Sequence, residues 1–503
     1  MKTPPGPARI GAALVAALTG LAVLTGLAGL AAAPATALDT PPAARAADDR
    51  PNIVLITTDD QTLADLYWMP ATRAALGGAG ATFGQAISPH PLCCPARAEM
   101  VTGQYAQNNG VRSNSGPHGG FGALKEPGNT VASWLHDAGY ATGFVGKYLN
   151  LYSERDGIQA GWDHWAPITH NTYQAFDYSV FDNGTRVEHH DDLHSNDFVS
   201  QRTVDLVERY AAADEPFLVW SSYVAPHGQC TDNLPLDVCA APPTPAARHA
   251  GLYSGSPLPS LGKPSFNEAD VSDKPIIIRK QKRVRAANLQ RLFTQRIRAL
   301  ASVDEGVAAT VEALRAAGEL DNTYLVFTSD NGYLLGEHRY NGKVLAYRES
   351  LRVPMLIRGP GIPAGVVRQQ RVSTIDLAPT MVEIAGAVPG RPMDGVSMLA
   401  AARADAPLPR TSLIQAGPFH RRGTIDWTYR GVYTGRYTFV RWNRTGFVEL
   451  YDHARDPYEL RNLGTTAKYG KVRRELFRRT NLLSRCSGDA CRVDFGPVPR
   501  PRR

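Results

Sequence analysis

Pro51-Asn52-Ile53-Val54-Leu55-Ile56-Thr57-Thr58, followed at once by Asp59-Asp60, is the stretch on which the fold turns. It is short, continuously apolar and rich in β-branched residues, the pattern of a strand buried on both faces of a parallel sheet. A second stretch repeats it far downstream, where Thr323-Tyr324-Leu325-Val326-Phe327-Thr328-Ser329 runs into Asp330-Asn331-Gly332. Each ends in a pair of oxygen donors, and open α/β sheets hold their ligands at the carboxyl ends of strands. The two ends meet only in a doubly wound sheet. Asp59, Asp60, Asp330 and Asn331 then form an oxygen set suited to a hard divalent cation, Ca2+ or Mg2+. Asp60 alone also reads as a helix cap.

Two more strands deliver polar residues to the same edge. Tyr140-Ala141-Thr142-Gly143-Phe144-Val145-Gly146 leads to Lys147, and Pro216-Phe217-Leu218-Val219-Trp220-Ser221-Ser222-Tyr223 leads to Ala225-Pro226-His227. Helical patterns over residues 130–138, 197–212 and 290–317 alternate with these strands, as a layered α/β domain requires. From about residue 408 the texture changes to short antiparallel strands over residues 429–442 and 448–452, followed by a last helix. Residues 161–198 read as loop-rich. Their His189, His190, Asp191, Asp192 and His194 have no regular metal spacing and read as a solvated loop or a substrate rim.

Between the first strand and its partners stands Leu92-Cys93-Cys94-Pro95-Ala96-Arg97. By itself the pair Cys93-Cys94 reads as a vicinal disulfide, as two buried thiols or as a modification site. The spacing Cys-x-Pro-x-Arg resembles the modification site of the type I sulfatases. Gly103-Gln104-Tyr105-Ala106-Gln107-Asn108-Asn109-Gly110-Val111 resembles that family's second signature. Gly146-Lys147, Ala225-Pro226-His227, Ser329-Asp330-Asn331-Gly332, Lys343 and Asp456-Pro457-Tyr458-Glu459-Leu460-Arg461-Asn462-Leu463 follow in family order, so the resemblance spans residues 51–465.

The resemblance implies an alkaline-phosphatase-like α/β sandwich, with a large mixed, mostly parallel sheet flanked by helices and a small C-terminal antiparallel-sheet subdomain. It implies that a formylglycine-generating enzyme oxidises Cys93 to formylglycine (3-oxoalanine). Asp59, Asp60, Asp330, Asn331 and the modified Cys93 would hold Ca2+, or alternatively Mg2+. Arg97 would orient the hydrate of the aldehyde, and Lys147, Lys343 and His227 would grip the sulfate, with His338 a lesser candidate. The chemistry makes sense of a discarded thiol. A sulfate monoester needs an oxygen nucleophile held in line, a cation on its oxygens and an acid for the leaving alcohol. Serine would attack once and stay sulfated, whereas an aldehyde hydrate has a second hydroxyl that can expel sulfate.

Many sulfatases have a histidine two residues after the first lysine, and here that position is Leu149. Gly146-Lys147-Tyr148-Leu149-Asn150 resembles the branch of the glucosamine-6-sulfatases and extracellular heparan sulfatases. That shifts the expected substrate toward sulfated sugars, N-acetylglucosamine 6-sulfate among them, with aryl sulfates beside them. A formylglycine-dependent phosphonate monoester or phosphodiester hydrolase shares the same machinery. A non-catalytic sulfoglycan-binding protein would keep a basic rim and lose the nucleophile, which the intact Cys93-to-Arg97 core argues against.

The rest of the chain sets the context. Residues 1–37, with Lys2, Arg9, a long apolar run and Ala35-Thr36-Ala37, read as a secretory signal peptide, with an uncleaved anchor as the rival reading. Residues 38–50 read as a disordered lead-in. A secreted, extracellular protein follows, with no stable membrane insertion after cleavage. Residues 51–405 are the expected catalytic domain, 406–485 the C-terminal subdomain and 486–503 a disulfide loop with a basic tail. A net charge of +7 and pI near 9.0 are mild for 503 residues, favouring anionic substrates over a nucleic-acid partner. In an exported chain Cys230/Cys239 and Cys486/Cys491 read as small-loop disulfides. Residues 228–275, rich in proline, read as a substrate-shaping insertion. Arg279, Lys280, Lys282, Arg283, Arg285, Arg291, Arg296 and Arg298 read as a solvated helical face or as a guide for polyanions.

Overall fold

In the computed structural model, residues 49–213, 215–230, 241–418 and 427–502 are described. The residues read as a signal peptide, most of those read as a lead-in and Cys239 lie outside them. Strands β1 (Asn52–Thr58), β2 (Ala81–Phe83), β3 (Ala141–Gly146), β4 (His164–His170), β5 (Tyr178–Asp182) and β6 (Thr185–His189) come first. After β7 (Phe217–Ser222) come β8 (Thr323–Ser329), β9 (Leu334–Leu335), β10 (Asn341–Gly342), β11 (Met355–Arg358) and β12 (Val366–Arg368). The chain then forms β13 (Ser412–Ala416), β14 (Tyr429–Tyr433), β15 (Tyr437–Trp442) and β16 (Val448–Asp452).

Ten strands make one mixed sheet in the order β12-β2-β11-β8-β1-β7-β3-β4-β5-β6. Its centre is parallel: β1 lies between β7 and β8, and β3 between β7 and β4. The first strand is thus the middle of the sheet, and β8 pairs with it directly. Alternation along the strands explains the continuous apolar runs. Ile53, Leu55, Leu218, Trp220 and Val326 pack into one core with Ala98, Val101 and Leu135. Val54, Ile56, Val219, Leu325 and Phe327 pack on the opposite face with Leu206, Leu300 and Leu314. Helices Cys93–Thr102, Val131–Asp137 and Leu377–Ala385 cover the first face, and Ser195–Ala211 and Ala286–Ala316 the second. Burying each Ile, Leu or Val of these strands contributes about 1.5–3 kcal/mol.

The four strands β13-β14-β15-β16 form a separate antiparallel meander. Leu413, Val432, Phe439 and Leu450 on one face pack against Val472, Leu476 and Leu483 of the helix Gly470–Leu483. The other face, with Ile414, Tyr429, Tyr433 and Val440, packs on Val344, Leu345 and Tyr347. The small sheet therefore backs the segment that carries Lys343. Cys486 and Cys491 are disulfide-bonded, with their Cα atoms 5.1 Å apart. Cys230 is also disulfide-bonded, to a partner outside the described residues.

Two expectations change. Residues 161–198, read as loop-rich, contain three strands, β4, β5 and β6. The last of these is an exposed edge strand, Thr185-Arg186-Val187-Glu188-His189, so it lacks the apolar alternation that would have revealed it. His189 and His190 make surface pairs with Asp192 and Asp177, both at 3.3 Å, and His194 caps the helix Ser195–Ala211 through Asn196 N. Arg296 is not solvated but 1% exposed. It shares the inward face of its helix with Phe293, Ile297 and Leu300, at helical spacing.

Gly146 shows how closely the sheet holds the site. Its φ is +104°, and a Cβ built there would lie 2.0 Å from the Ser222 carbonyl. Gly146→Ala is expected to cost about 2–4 kcal/mol, combining left-handed strain with overpacking, read as a lower urea midpoint. A change below about 0.5 kcal/mol, the level of an unremarkable surface substitution, would contradict this packing.

Candidate active site

The carboxyl ends of the central strands bring together residues that are far apart in sequence. Asp59 and Asp60 leave β1, Lys147 leaves β3, and Asp330 and Asn331 leave β8. His227 follows β7 by a short turn in which the Ala225–Pro226 peptide is cis. Cys93 is the first residue of its helix, behind an extended Leu92. Pro95 fits there because the first turn of a helix has no intrahelical use for its missing N–H. Gly103 ends the same helix in the left-handed region. Gly332 follows Asn331 because a Cβ would lie 2.1 Å from the Glu349 carbonyl.

All these groups are buried except Lys343, which is partly exposed. The Cys93 thiol points at Asp59 Oδ1, 3.3 Å away. Lys343 Nζ donates to Cys93 Sγ at 2.7 Å and to Asp60 Oδ1 at 2.5 Å, and Lys147 Nζ bonds Asp59 Oδ2. Arg97 Nε donates to Asp330 Oδ2 at 2.8 Å, and its Nη1 to the Lys147 carbonyl at 2.7 Å and Ser222 Oγ at 2.6 Å. Asp60 sits at φ +67°, a strained region that Asp tolerates, and its amide donates to Asp330 Oδ1 at 3.2 Å. Ligand atoms of Asp59, Asp60, Cys93 and His227 lie within 4.8 Å of one another.

Charge sets the protonation states. Burial alone would raise the Asp59 carboxyl, but Lys147, His227, Arg97 and Lys343 hold it well below the usual range. Burial and the Asp59 charge push the Cys93 thiol up, so it is a protonated, weak nucleophile at neutral pH. Burial lowers His227 against the opposing pull of Asp60 and Asp59. Its Nδ1 lies 2.7 Å from the Gly228 carbonyl, which can only accept, so we assign the ring proton to Nδ1 and the titrating position to Nε2. Nε2 is 3.6 Å from Asp60 Oδ2.

The donor set fits a hard divalent cation. Three carboxylates face one region, and Asn331 Oδ1 is buried without a hydrogen-bond partner among the described residues while its Nδ2 is held by Asp60 Oδ1 at 2.7 Å. In front of the site lies a cavity of about 770 Å³, lined by Asp60, His227, Lys343, Asn114, Arg291 and Tyr340 among others. His338 is not among its lining residues. Its Nδ1 is bonded to Glu268 Oε2 at 2.6 Å, and it stacks on Tyr347.

Four contributors were missed in the sequence. Ser222 Oγ links Arg97 to the Lys147 carbonyl, donating to the latter at 2.6 Å. Tyr173 stacks on His227 with ring centroids 4.4 Å apart, and Lys147 Nζ lies 4.5 Å from its ring. Asn114 Oδ1 accepts from Cys94 N at 2.9 Å. Arg296 Nη2 donates to the Asp60 carbonyl at 2.5 Å and to Asp65 Oδ2 at 2.8 Å. Ser222, at the end of a strand already aimed at the site, had a positional signal. Tyr173 and Asn114 had none, because loops carry no periodicity.

A large mixed, mostly parallel sheet with a small antiparallel sheet beside it is the alkaline-phosphatase-like fold, and the family and relatives that the chain matches make it a sulfuric ester hydrolase. The chain belongs to the sulfatase family: the family model "Sulfatase" matches residues 51–387. The model "N-sulphoglucosamine sulphohydrolase, C-terminal" matches residues 336–485. An arylsulfatase of Volvox carteri is 33% identical over 506 residues, covering 89% of this chain and 76% of the relative. The human N-acetylglucosamine-6-sulfatase is 29% identical over 496 residues, covering 88% and 86%. An extracellular sulfatase SULF-1 homolog of Drosophila melanogaster is 36% identical over 371 residues, covering 70% of this chain but 31% of its own length. Among solved structures, BT4656 in complex with D-glucosamine-2-N,6-O-disulfate shares the fold with a TM-score of 0.73 and 22% identity, covering 86% of this chain and 97% of that one.

Proposed function

We propose that this chain is a secreted sulfatase that hydrolyses sulfate monoesters of sugars, with glucosamine 6-sulfate groups as the preferred class and aryl sulfates as secondary substrates. The observation that carries the reading is the placement of Cys93, at a helix start between Asp59 and Lys343, directly behind a cavity large enough for a monosaccharide that Lys343, Asp60 and His227 line. Residues 51–405 form the catalytic domain in this reading and residues 406–485 the subdomain that backs Lys343.

Cys93 is the residue that a formylglycine-generating enzyme converts, and the hydrated aldehyde supplies a nucleophile with a second hydroxyl for release of sulfate. Asp59, Asp60, Asp330 and Asn331 would hold Ca2+, which supplies charge neutralisation and a lowered pKa for the attacking hydroxyl. The chain's own residues do the remaining work. Lys147 and Lys343 stay protonated, because the carboxylates of Asp59 and Asp60 outweigh the cost of burial, and each offers a point charge to a sulfate oxygen. Tyr173 holds the His227 ring in place by stacking, and His227 Nε2, unprotonated in the neutral ring, is placed to take the proton given up by the attacking hydroxyl and pass it to the leaving oxygen. Arg97 positions Asp330, Lys147 and Ser222 without touching substrate. Overall, water adds across the S–O bond to give an alcohol and sulfate.

Turnover of glucosamine 6-sulfate, 4-nitrophenyl sulfate and a phosphodiester, each on protein made with a formylglycine-generating enzyme, tests the reading. Hydrolysis of the sugar sulfate above the other two is expected, and a preference for the phosphodiester would overturn it. Removing divalent ions with a calcium-selective chelator is expected to abolish turnover reversibly, with calcium restoring it more fully than magnesium because the site is rich in carboxylate and carbonyl oxygens. Activity that survives exhaustive chelation would refute the metal assignment.

A further inference from the structure

A second constellation of ligand-type side chains lies outside the catalytic cluster, where the loop between β9 and β10 meets the C-terminal region. His338 is fully buried, and its Nδ1 is fixed on Glu268 Oε2 at 2.6 Å. Its other ring nitrogen, Nε2, is buried with no hydrogen-bond partner among the described residues. Ligand atoms of His338, Glu349 and Glu459 lie within 4.8 Å of one another. A histidine pinned through one nitrogen by a carboxylate, with the other nitrogen left open and two further acids close by, has the outer-shell arrangement of a metal-bound imidazole.

The surrounding charge points the same way. Four carboxylates, Glu268, Glu337, Glu349 and Glu459, gather here with little or no exposure. Lys263 Nζ serves Glu337 at 2.6 Å and Glu349 at 2.9 Å, and Lys274 Nζ lies 3.2 Å from Glu268 but also 2.8 Å from Asp273. Arg348 gives its backbone N–H to Glu459 Oε2 at 3.0 Å but turns its guanidinium to the Pro457 carbonyl at 3.2 Å. Lys263 and Lys274 are the two ammonium groups in contact with these four acids, with Arg348 and Arg352 lining the neighbouring cavity, and a divalent ion would add directly to their compensation, since poorly compensated buried charge is costly. An entry path exists, because Glu337 and Glu349 line a cavity of about 410 Å³ together with Lys263 and Tyr458.

We propose that His338, Glu349 and Glu459 form a second cation site, for a divalent transition ion of the Zn2+ class, that fastens the loop carrying Lys343 to the segment following β16. One imidazole with two carboxylates suits such an ion, in contrast to the oxygen-rich catalytic cluster. The site is structural and takes no part in the sulfate chemistry.

Elemental analysis of the full chain, stripped with chelator, reloaded with Zn2+ and Ca2+ and washed, tests the proposal. About one zinc per chain is expected in the wild type, falling at least tenfold in His338→Gln and Glu459→Gln with calcium content unchanged. Glu349→Gln serves where the buried variants do not fold, because its side chain borders the open cavity. Zinc should also raise the wild-type Tm by more than about 3 °C and leave that of Glu349→Gln unmoved. A wild type that retains no zinc overturns the proposal. Zinc that survives all three substitutions but disappears in Asp330→Asn sits in the catalytic cluster and overturns it equally.

Discussion

Cys93→Ala is expected to lower sulfate-ester turnover by about 10⁴–10⁶-fold, the scale seen when a nucleophile is removed from a preorganised site. The fold should survive. The thiol is small, its contacts are to Asp59 and Lys343, and those two remain tied to Lys147 and Asp60. Cys93→Ser separates nucleophilicity from self-clearing. A serine hydroxyl in the same position has one oxygen, so a single attack should leave the protein heavier by about 80 mass units, one sulfuryl group, without turnover. The wild-type peptide containing Cys93 should be about 18 mass units lighter than its thiol form, as conversion of a thiol to an aldehyde requires. Full activity in the alanine variant, or active protein with an unaltered thiol, would rule out Cys93 as the nucleophile. The elevated thiol pKa argues in the same direction, since a protonated Cys93 is poorly suited to attack a sulfate ester directly.

The centre of the molecule was legible because it is governed by short-range rules. Two apolar stretches ending in acids were enough to bring the ends of β1 and β8 to one edge of a doubly wound sheet, since a strand buried on both faces has few other homes, and the two strands in fact pair directly. Asp59, Asp60, Cys93, Lys147, His227, Asp330, Asn331 and Lys343 all reach one edge of the sheet, each from the end of a strand or the start of a helix. What escaped had no such anchor. The polar edge strand β6 is exposed and so carries no alternation, and Tyr173 comes from an irregular turn. Arg296 was misread because a run of basic residues hides which of them faces inward. Only the phase of the helix, fixed by Phe293, Ile297 and Leu300, shows that position 296 belongs beneath Asp60. The link from Lys343 to the small sheet, through Val344 and the Tyr429 hydroxyl, joins residues 85 apart and has no local signature.

Arg97→Ala should have the largest effect on stability, about 3–5 kcal/mol, because it removes one partner from a buried ion pair and leaves the other. The guanidinium is 2% exposed and bridges Asp330 at 2.8 Å and Asp59 at 3.5 Å, while two more bonds go to the Lys147 carbonyl and Ser222. Its loss leaves Asp330, already pushed up to about 6 by burial and by Asp59, with still less reason to ionise. Folded-state pKa above the unfolded value means that Asp330 destabilises the fold as pH rises from the ordinary carboxylate range through that raised value. The penalty in Arg97→Ala should therefore be smaller at pH 5 than at pH 7.5, where Asp330 has to ionise without its guanidinium partner. Arg97→Lys should recover only part of the loss, since a point charge cannot span Asp330, Asp59, the carbonyl and the hydroxyl at once. Urea denaturation of the two variants at both pH values decides the matter. Losses below about 0.5 kcal/mol at pH 7.5 would show that the arginine is a spectator, and the carboxylates would then have to be held by other means.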